Sequence, residues 1–215
     1  MAKTTDWAKA FQPLLKKYTK RKHPLDYKNR YQLVVMIILA AQSSDKAIND
    51  LAPALFNTYP TFEALSKASP EDLFPYINSV RNFGNKAKWL VELARAVGAE
   101  ENIPATMDTL TELPGIGRKS ANVIIRESGG KAEGIVVDLH VIRVVPRLGI
   151  IQSENPATIE RTLMEILPQK YWGDIGMCIS FLGREICRPT NPKCEECVMN
   201  SVCDYYTSQG KGKKK

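Results

Sequence analysis

The chain has 215 residues, of which 44% are hydrophobic and 25% are charged, a balance typical of a folded globular protein. Its longest apolar run, Leu33 to Ala41, is far shorter than the ~20 residues of a membrane span, so we expect no membrane partner. The N-terminus lacks the apolar region of a signal peptide, which predicts a reducing, cytoplasmic compartment.

The net charge of +7 is compatible with a nucleic-acid partner, but the distribution of that charge weakens the argument. The terminal segment Gly210–Lys215 contains four lysines, so the rest of the chain carries only +3. Residues 208–215 are predicted to form a disordered basic tail, either a solubilising end or an engineered extension. Charge alone therefore gives little support for nucleic-acid binding.

Apolar residues recur with helical periodicity almost throughout the chain, which predicts about ten short helices joined by polar turns. Lys86–Val97, for example, places five small or aliphatic residues on one face. Capping residues mark several helix starts: Ser69 before Pro70, Thr106 before Met107–Leu113, and Asn155 before Pro156–Leu167. Ile135–Val137 is β-branched but too short to carry a sheet. The best internal boundary is the stretch 126–134, which is rich in glycine and charge.

A phosphate-binding turn is predicted at Leu113–Lys119, between two helical patterns. Pro114 ends the first helix, and Gly115 and Gly117 permit a tight turn whose amide groups point outward. The second helix starts at Arg118, where unpaired N–H groups and the positive end of the helix dipole favour an anion. Such a site binds a DNA phosphate without reading sequence. The alternative is an ordinary pair of antiparallel helices with no ligand.

Four of the five cysteines fall in one short segment, Cys187-x6-Cys194-x2-Cys197-x5-Cys203. In a reducing compartment such a group indicates a metal centre rather than disulfides. Four thiolates fit either tetrahedral zinc or a cubane iron–sulfur cluster. Cys178 stands apart among apolar residues and is predicted to be a buried core thiol.

Three segments of the chain, in the family's order, resemble the endonuclease III family. Leu39–Asp45 resembles its Ala-Gln-x-x-Asp segment, Leu113–Asn122 its helix-hairpin-helix, and Ile135–His140 its Val-Asp-x-His segment. The resemblance runs from about Tyr31 to Tyr205 and ends in the family's cysteine spacing, which favours a 4Fe-4S cluster held by Cys187, Cys194, Cys197 and Cys203 over zinc.

The resemblance implies an all-α protein with the two-lobed helix-hairpin-helix DNA glycosylase fold. One lobe would be a six-helix barrel over residues 24–133, with the hairpin at about 107–128. The other would be a discontinuous iron–sulfur cluster domain made of residues 1–23 and 134–207. The resemblance further implies a monomer that binds double-stranded DNA containing damaged bases or abasic sites, and that is associated with the nucleoid if the source is prokaryotic.

The activity implied is that of a bifunctional DNA glycosylase and AP lyase of base excision repair. Such an enzyme excises oxidised pyrimidines through a lysine Schiff base and cleaves 3′ to the abasic site by β-elimination. Two alternatives stay open: a monofunctional mismatch glycosylase of the same superfamily, and a DNA-binding module without catalysis. The amine of Lys119 argues against the first, because an enzyme that activates water does not need it. Asp138 at its family position argues against the second.

Lys119 and Asp138 are the predicted catalytic residues, because by resemblance they match the family's catalytic lysine and aspartate. The alternatives from the residues alone are a phosphate-binding lysine at 119 and a helix cap without a catalytic role at 138. Base displacement at C1′ passes through a positively charged sugar, which a carboxylate stabilises and a nucleophile captures. Lys119 lies in the first turn of a helix, whose positive end disfavours an ammonium and so favours free amine. Asp138 precedes a helical pattern over Leu139–Leu148 and is predicted to cap it, which would keep its carboxylate ionised.

The remaining candidates are DNA contacts. Gln42 matches the glutamine that the family inserts where a damaged nucleotide leaves the duplex. Arg81 and Asn82 stand where the family often has glycine and leucine, so gap filling on this side departs from the family pattern. Phosphate contacts are expected from the backbone of the turn and from basic side chains beside it and in the cysteine loop: Gly115, Ile116, Gly117, Arg118, Arg188 and Lys193.

Overall fold

A computed structural model describes residues 5–209. In chain order its α-helices are α1 (Trp7–Ala10), α2 (Gln12–Tyr18), α3 (Arg30–Ala40), α4 (Asp45–Thr58), α5 (Phe62–Ser66), α6 (Pro70–Ile77), α7 (Phe83–Val97), α8 (Met107–Thr111), α9 (Arg118–Glu127), α10 (Leu139–Leu148), α11 (Pro156–Ile166), α12 (Trp172–Glu185) and α13 (Asp204–Ser208). No β-strand occurs among these residues, so the predicted all-α class is confirmed. Within the same range, no helix is long and apolar enough to cross a membrane.

The chain divides into two compact units. The hairpin unit comprises residues 22–130 and contains helices α3 to α9. The cysteine unit combines the described residues up to 21 with those from 131 onward, and it contains α1, α2 and α10 to α13. Where the resemblance predicts six helices for the first lobe, the hairpin unit has seven, because Thr61 and Ser69 cap two separate short helices.

The predicted capping residues make the expected bonds. Ser69 and Asp72 form a reciprocal capping box at the start of α6. Thr106 and Asn155 each accept a hydrogen bond from the N–H group three residues later, at the starts of α8 and α11. These contacts are local in sequence, which is why the residue types alone predict them.

Two predicted helix ends are wrong by one or two residues, and proline explains both. Helix α8 ends at Thr111 rather than Leu113, and α11 ends at Ile166 rather than Leu167. Leu113 and Leu167 each precede a proline, whose ring disfavours helical backbone at the preceding residue. Leu167 accordingly has extended backbone, with φ −123° and ψ 136°.

Helix α3 is the centre of the hairpin unit. Its residues from Leu33 to Leu39 are all at most 5% exposed, and the helix packs against α4, α7 and α9. A helix that is apolar on every side belongs in the interior of a protein. The predicted apolar face of Lys86–Val97 is also buried, at Ala87, Leu90, Val91, Ala94 and Val97, so α7 presents this face to the core.

In the cysteine unit, α12 packs against α2 and α10. Two glycines allow the close approach: a Cβ at Gly176 would lie 2.2 Å from the Val136 carbonyl oxygen, and one at Gly183 would lie 2.7 Å from the His140 Cβ. The segment Ile135–Val137 is therefore buried against α12 without forming a strand. Asp138 follows directly, so this packing places it.

Two smaller predictions concern Cys178 and the tail. Cys178 is 1% exposed and lies 3.8 Å from the Thr19 hydroxyl oxygen, which confirms a core thiol. The predicted tail over residues 208–215 lies outside the described residues, except for Ser208, which ends α13, and Gln209.

Candidate active site and nucleic-acid interface

The turn between α8 and α9 depends on Gly115. Its φ is +76°, in the left-handed region that favours glycine. A Cβ there would lie 3.2 Å from the Cβ of Trp89 and 3.3 Å from the Cγ2 of Ile38. Ile116, which follows, is 4% exposed and donates its N–H to the Leu113 carbonyl. The turn is thus fixed to the core by the absence of one side chain and the burial of the next.

The N-terminal end of α9 has no capping side chain and has free space around it. Gly117 is its N-cap, with extended backbone and no side chain to cap the first turn. A Cβ at Gly117 would meet no heavy atom within 4 Å. The first N–H groups of a helix have no partner within the helix, and its dipole is positive there. The predicted phosphate site therefore has the required backbone and the space for an anion.

Lys119 is the second residue of α9 and is exposed. A neutral histidine lies in its electrostatic environment, within the same unit. Burial lowers the pKa of His23 to about 4, and the positive charge of Lys119 acts in the same direction, against the opposing effect of Glu127. The His23 Nδ1 accepts the Leu25 N–H at 3.1 Å. Near neutral pH, His23 therefore adds no positive charge beside Lys119.

Asp138 caps α10, as predicted. Its Oδ1 accepts the N–H groups of His140 at 2.8 Å and Val141 at 3.0 Å. Charge-assisted bonds from backbone N–H groups stabilise a carboxylate, and so does the positive end of the helix. One oxygen is therefore used by the cap, and the other is available for different contacts.

The second oxygen of Asp138 meets two residues of α12 that the sequence reading missed. Oδ2 accepts the Ser180 hydroxyl at 2.6 Å and lies 3.8 Å from an Arg184 nitrogen. Ser180 is fully buried, and its oxygen accepts the Arg184 Nε–H at 3.4 Å. The only sequence signal was a lone hydroxyl within the apolar stretch of α12. These contacts orient the Asp138 carboxylate and stabilise its negative charge.

The four clustered cysteines line one cavity of the cysteine unit, together with apolar side chains of α10 and α12. All four are free of disulfides. Burial, supported by the negative charge of the neighbouring sulfurs, raises the pKa of Cys197 to about 11, and burial also raises the pKa of Cys203. Four thiolates in such a place require a cationic group between them. The donor set thus fits a thiolate-bound metal centre.

Among the described residues, no group of three or more histidine, cysteine, aspartate and glutamate side chains is arranged to hold one metal ion. Four cysteine donors in one cavity fit either tetrahedral zinc or a cubane cluster, and the family's cysteine spacing favours the cluster.

Arg147 binds the backbone of the loop that follows Cys187, a role that the sequence did not predict. Its guanidinium donates to the Arg188 carbonyl at 2.8 Å and to the Pro189 carbonyl at 3.1 Å. It also contacts the Cys187 sulfur at 3.4 Å and stacks 4.7 Å over the ring of Tyr205. A basic residue in the last turn of α10 was visible in the sequence, but its partners lie some 40 residues away. The loop backbone is therefore held independently of its own side chains.

The basic residues of that loop are at the surface. Arg188 and Lys193 are both exposed, and the Lys193 Nζ lies 3.6 Å from a Glu196 carboxylate oxygen. An exposed ion pair of this kind contributes only about 0–1 kcal/mol to stability, so Lys193 can readily exchange Glu196 for a stronger anion. Both side chains can therefore reach a phosphate.

The three candidates for gap filling, Gln42, Arg81 and Asn82, are exposed and belong to the hairpin unit. Gln42 follows α3, and Asn82 precedes α7; both have φ +60°. The Asn82 side-chain oxygen accepts the Asn85 amide at 3.0 Å, so its NH2 group is the part that would meet a base. Lys119 lies in this unit, whereas Asp138 and the cysteines lie in the other.

Comparison with known proteins identifies the family. The sequence profile of the HhH-GPD superfamily of base excision DNA repair proteins matches residues 35–169. Endonuclease III from Synechocystis sp. is 38% identical over 181 residues, covering 83% of each chain. Endonuclease III from Thermotoga maritima is 34% identical over 184 residues, covering 85% of this chain and 86% of the relative. The chain belongs to the endonuclease III family.

The fold of the chain also matches that of a solved endonuclease III. A solved structure of a trapped endonuclease III–DNA covalent intermediate, an estranged-adenine complex, matches with a TM-score of 0.85 and 29% identity. The match covers 96% of this chain and 99% of the solved one. The predicted glycosylase fold is thereby confirmed.

The two glycines of the hairpin turn give a matched pair of variants. Gly115→Ala should lower the free energy of unfolding by about 1–3 kcal/mol, because left-handed backbone is strained for alanine and its Cβ meets Trp89. Gly117→Ala should cost less than about 1 kcal/mol, the range for a changed N-cap. It should instead weaken DNA binding about fivefold, because its Cβ would take up part of the open space at the start of α9 in which a phosphate is expected to bind. Denaturant titration and binding to an abasic duplex measure the two effects; the reverse pattern would contradict the assignment.

The cysteine cavity predicts an iron–sulfur centre. Purified protein should be yellow-brown, absorb near ~410 nm and contain about four irons per chain, as expected for a thiolate-bound cubane. Cys197→Ala should lose the colour and iron, whereas Cys178→Ala should keep both, because Cys178 is a core thiol outside the cavity. Colourless protein with one zinc per chain would show that the centre is mononuclear.

Proposed function

We propose that the chain is a bifunctional DNA glycosylase and AP lyase, which excises oxidised pyrimidines from duplex DNA and cleaves 3′ to the resulting abasic site. The observation that carries the proposal is Lys119: an exposed amine in the first turn of α9, directly after an open phosphate-binding turn. Support comes from the family, in which a covalent endonuclease III–DNA intermediate has been trapped.

The chemistry follows from the amine. As the damaged base leaves C1′ with the electrons of the N-glycosidic bond, the neutral Lys119 amine forms a bond to C1′. Loss of the amine proton and opening of the sugar ring give a Schiff base between Nζ and C1′. This cationic imine acidifies C2′. Loss of a proton from C2′ then expels the 3′ phosphate by β-elimination, and hydrolysis releases Lys119.

Asp138 stabilises the positive charge that develops on the sugar. Both of its oxygens are already held, Oδ1 by the cap of α10 and Oδ2 by Ser180. A carboxylate fixed in advance needs no reorganisation during the reaction, which is the main source of electrostatic catalysis. Ser180 is accordingly a positioning residue, since it acts through Asp138.

DNA binding rests on groups that read no sequence. The amides at Gly117 and Arg118 would hold one phosphate, and Arg188 and Lys193 would hold others. Gln42 and Asn82 would fill the gap left by the extruded nucleotide. Cys187, Cys194, Cys197 and Cys203 would hold a 4Fe-4S cluster. Once bound, the cluster would tie the four sulfurs together and stabilise the loop that presents Arg188 and Lys193.

A panel of duplexes tests the proposal. Each duplex contains one oxidised pyrimidine, one mismatch or one abasic site, and is incubated with excess protein. We expect excision of oxidised pyrimidines and strand cleavage 3′ to the abasic site. Excision of mismatched bases without strand cleavage would indicate a monofunctional glycosylase, and binding without any reaction would indicate a DNA-binding module.

Variants in the same assay test the roles of Asp138 and Ser180. Asp138→Asn should lower single-turnover excision by ~10²–10³-fold, typical of losing one electrostatic stabiliser. Ser180→Ala should lower it about tenfold, the value of one hydrogen bond to a charged group. The control is Asp6→Asn, which alters an exposed N-cap of the same kind at α1. DNA affinity should stay close to wild type in all three; an unchanged rate for Asp138→Asn would rule out its role.

A further inference from the structure

Lys86 is a buried lysine to which no role in DNA binding or chemistry has so far been given. It lies in α7 and is 2% exposed. Its Nζ donates to the Leu39 carbonyl at 2.8 Å and to the Ala41 carbonyl at 2.5 Å. These carbonyls belong to the last turn of α3 and to its C-cap. A cation there is favourable because the carbonyls carry the negative end of the helix dipole.

The residues that the Lys86 ammonium holds lead directly into one predicted gap-filling residue, because Ala41 precedes Gln42. The other, Asn82, is the N-cap of the helix that carries Lys86, and its carbonyl accepts the Lys86 backbone N–H at 3.1 Å in the first turn of that helix. The side chain of Lys86 therefore joins the end of α3, where Gln42 begins, to the helix that starts at Asn82.

Gln42 and Asn82 also share an unusual backbone conformation. Both have φ +60°, and Asn191 is the one other non-glycine residue with positive φ in the described part of the chain. This region is uncommon for residues with a side chain and persists where surrounding contacts impose it. Strained residues of this kind cluster at sites that must be preformed, which fits a wedge that enters DNA.

We propose that Lys86 is a positioning residue: its ammonium fixes Gln42 through the end of α3, so that Gln42 and the N-cap residue Asn82 form one preformed, two-pronged wedge for the gap left by an extruded nucleotide. The proposal rests on the proposed function. A space-filling role alone would not need the ammonium, because the methionine side chain has a similar length and shape. The hydrogen bonds to Leu39 and Ala41 are what set the direction in which the chain leaves α3.

The step affected is extrusion of a paired base. A wedge that is already in position loses less conformational freedom on insertion, so it competes better with base pairing and stacking. An abasic site has no base to extrude. Loss of the lock should therefore reduce excision of a paired lesion more than cleavage at a preformed abasic site.

The test compares Lys86→Met, which keeps the volume but has no donor, with Lys86→Arg, which keeps the donors, and with Lys88→Met, an exposed control on the same helix. The ratio of lesion excision to abasic-site cleavage should fall at least about tenfold in Lys86→Met and stay within about threefold in the other two. If Lys86→Met does not fold, Lys86→Gln takes its place and should lower the ratio too. An unchanged ratio overturns the proposal.

A double-mutant cycle separates positioning from general stability. If Lys86 acts through the wedge, adding Lys86→Met to a Gln42→Ala background should lower excision by less than about twofold. Full additivity of the two losses would show that Lys86 only supports the fold.

A binding measurement separates this proposal from the proposed function. The duplex carries an uncleavable abasic analogue opposite 2-aminopurine, whose fluorescence rises when it loses its stacking partners. Wild type and Lys88→Met should raise the fluorescence at saturation, and Lys86→Met should raise it much less. Wild-type protein that gives this signal but cleaves no DNA would contradict the enzyme activity and leave the wedge intact. Equal signals from wild type and Lys86→Met at saturation would refute the role of Lys86.

Discussion

Helix α3 fixes the positions of the phosphate turn and of Gln42, two parts of the hairpin unit that are proposed to contact DNA. Its Ile38 lies so close to the hairpin turn that a Cβ at residue 115 would be 3.3 Å from the Ile38 Cγ2. Its last carbonyls bind the ammonium of Lys86, and the chain then leaves it at Gln42. One buried helix therefore fixes the positions of both the phosphate turn and the proposed wedge. The distance between the two cannot change without repacking the core.

In the cysteine unit, the packing fixes the position of one carboxylate, that of Asp138. Asp138 lies between the buried segment Ile135–Val137 and α10, and the glycines of α12 let this part of the chain approach α12. The approach brings Ser180 to Oδ2 while the helix start occupies Oδ1. A capping aspartate, common in any helical protein, is thereby held at both of its oxygens, as its proposed role in catalysis requires.

Local features of this fold were predictable from the sequence, and distant contacts were not. Caps at Ser69, Thr106, Asn155 and Asp138 depend on atoms within three residues, so residue type and spacing are enough. The bond between Ser180 and Asp138, and the contact between Arg147 and Cys187, each join residues about 40 positions apart in sequence. Periodicity reports which face of a helix is buried but not what the face touches.

Lys86 shows the limit most clearly. It lies in register with Leu90 and Leu93 on the buried face of α7, and a lysine at such a position reads as the polar edge of an amphipathic helix. Its true environment, the carbonyl end of α3, is more than 40 residues away. The family's motifs locate Lys119 and Asp138 by type and spacing, while the groups that orient them follow only from the fold.

Borohydride trapping tests the central claim, that Lys119 is the nucleophile, most directly. Wild-type protein incubated with an abasic duplex and borohydride should give a covalent protein–DNA adduct, and digestion should place the modification on the peptide that contains Lys119. Lys119→Ala should bind the same duplex and give no adduct. An adduct that forms as well in Lys119→Ala, or that maps to another amine in the wild-type protein, would contradict the account.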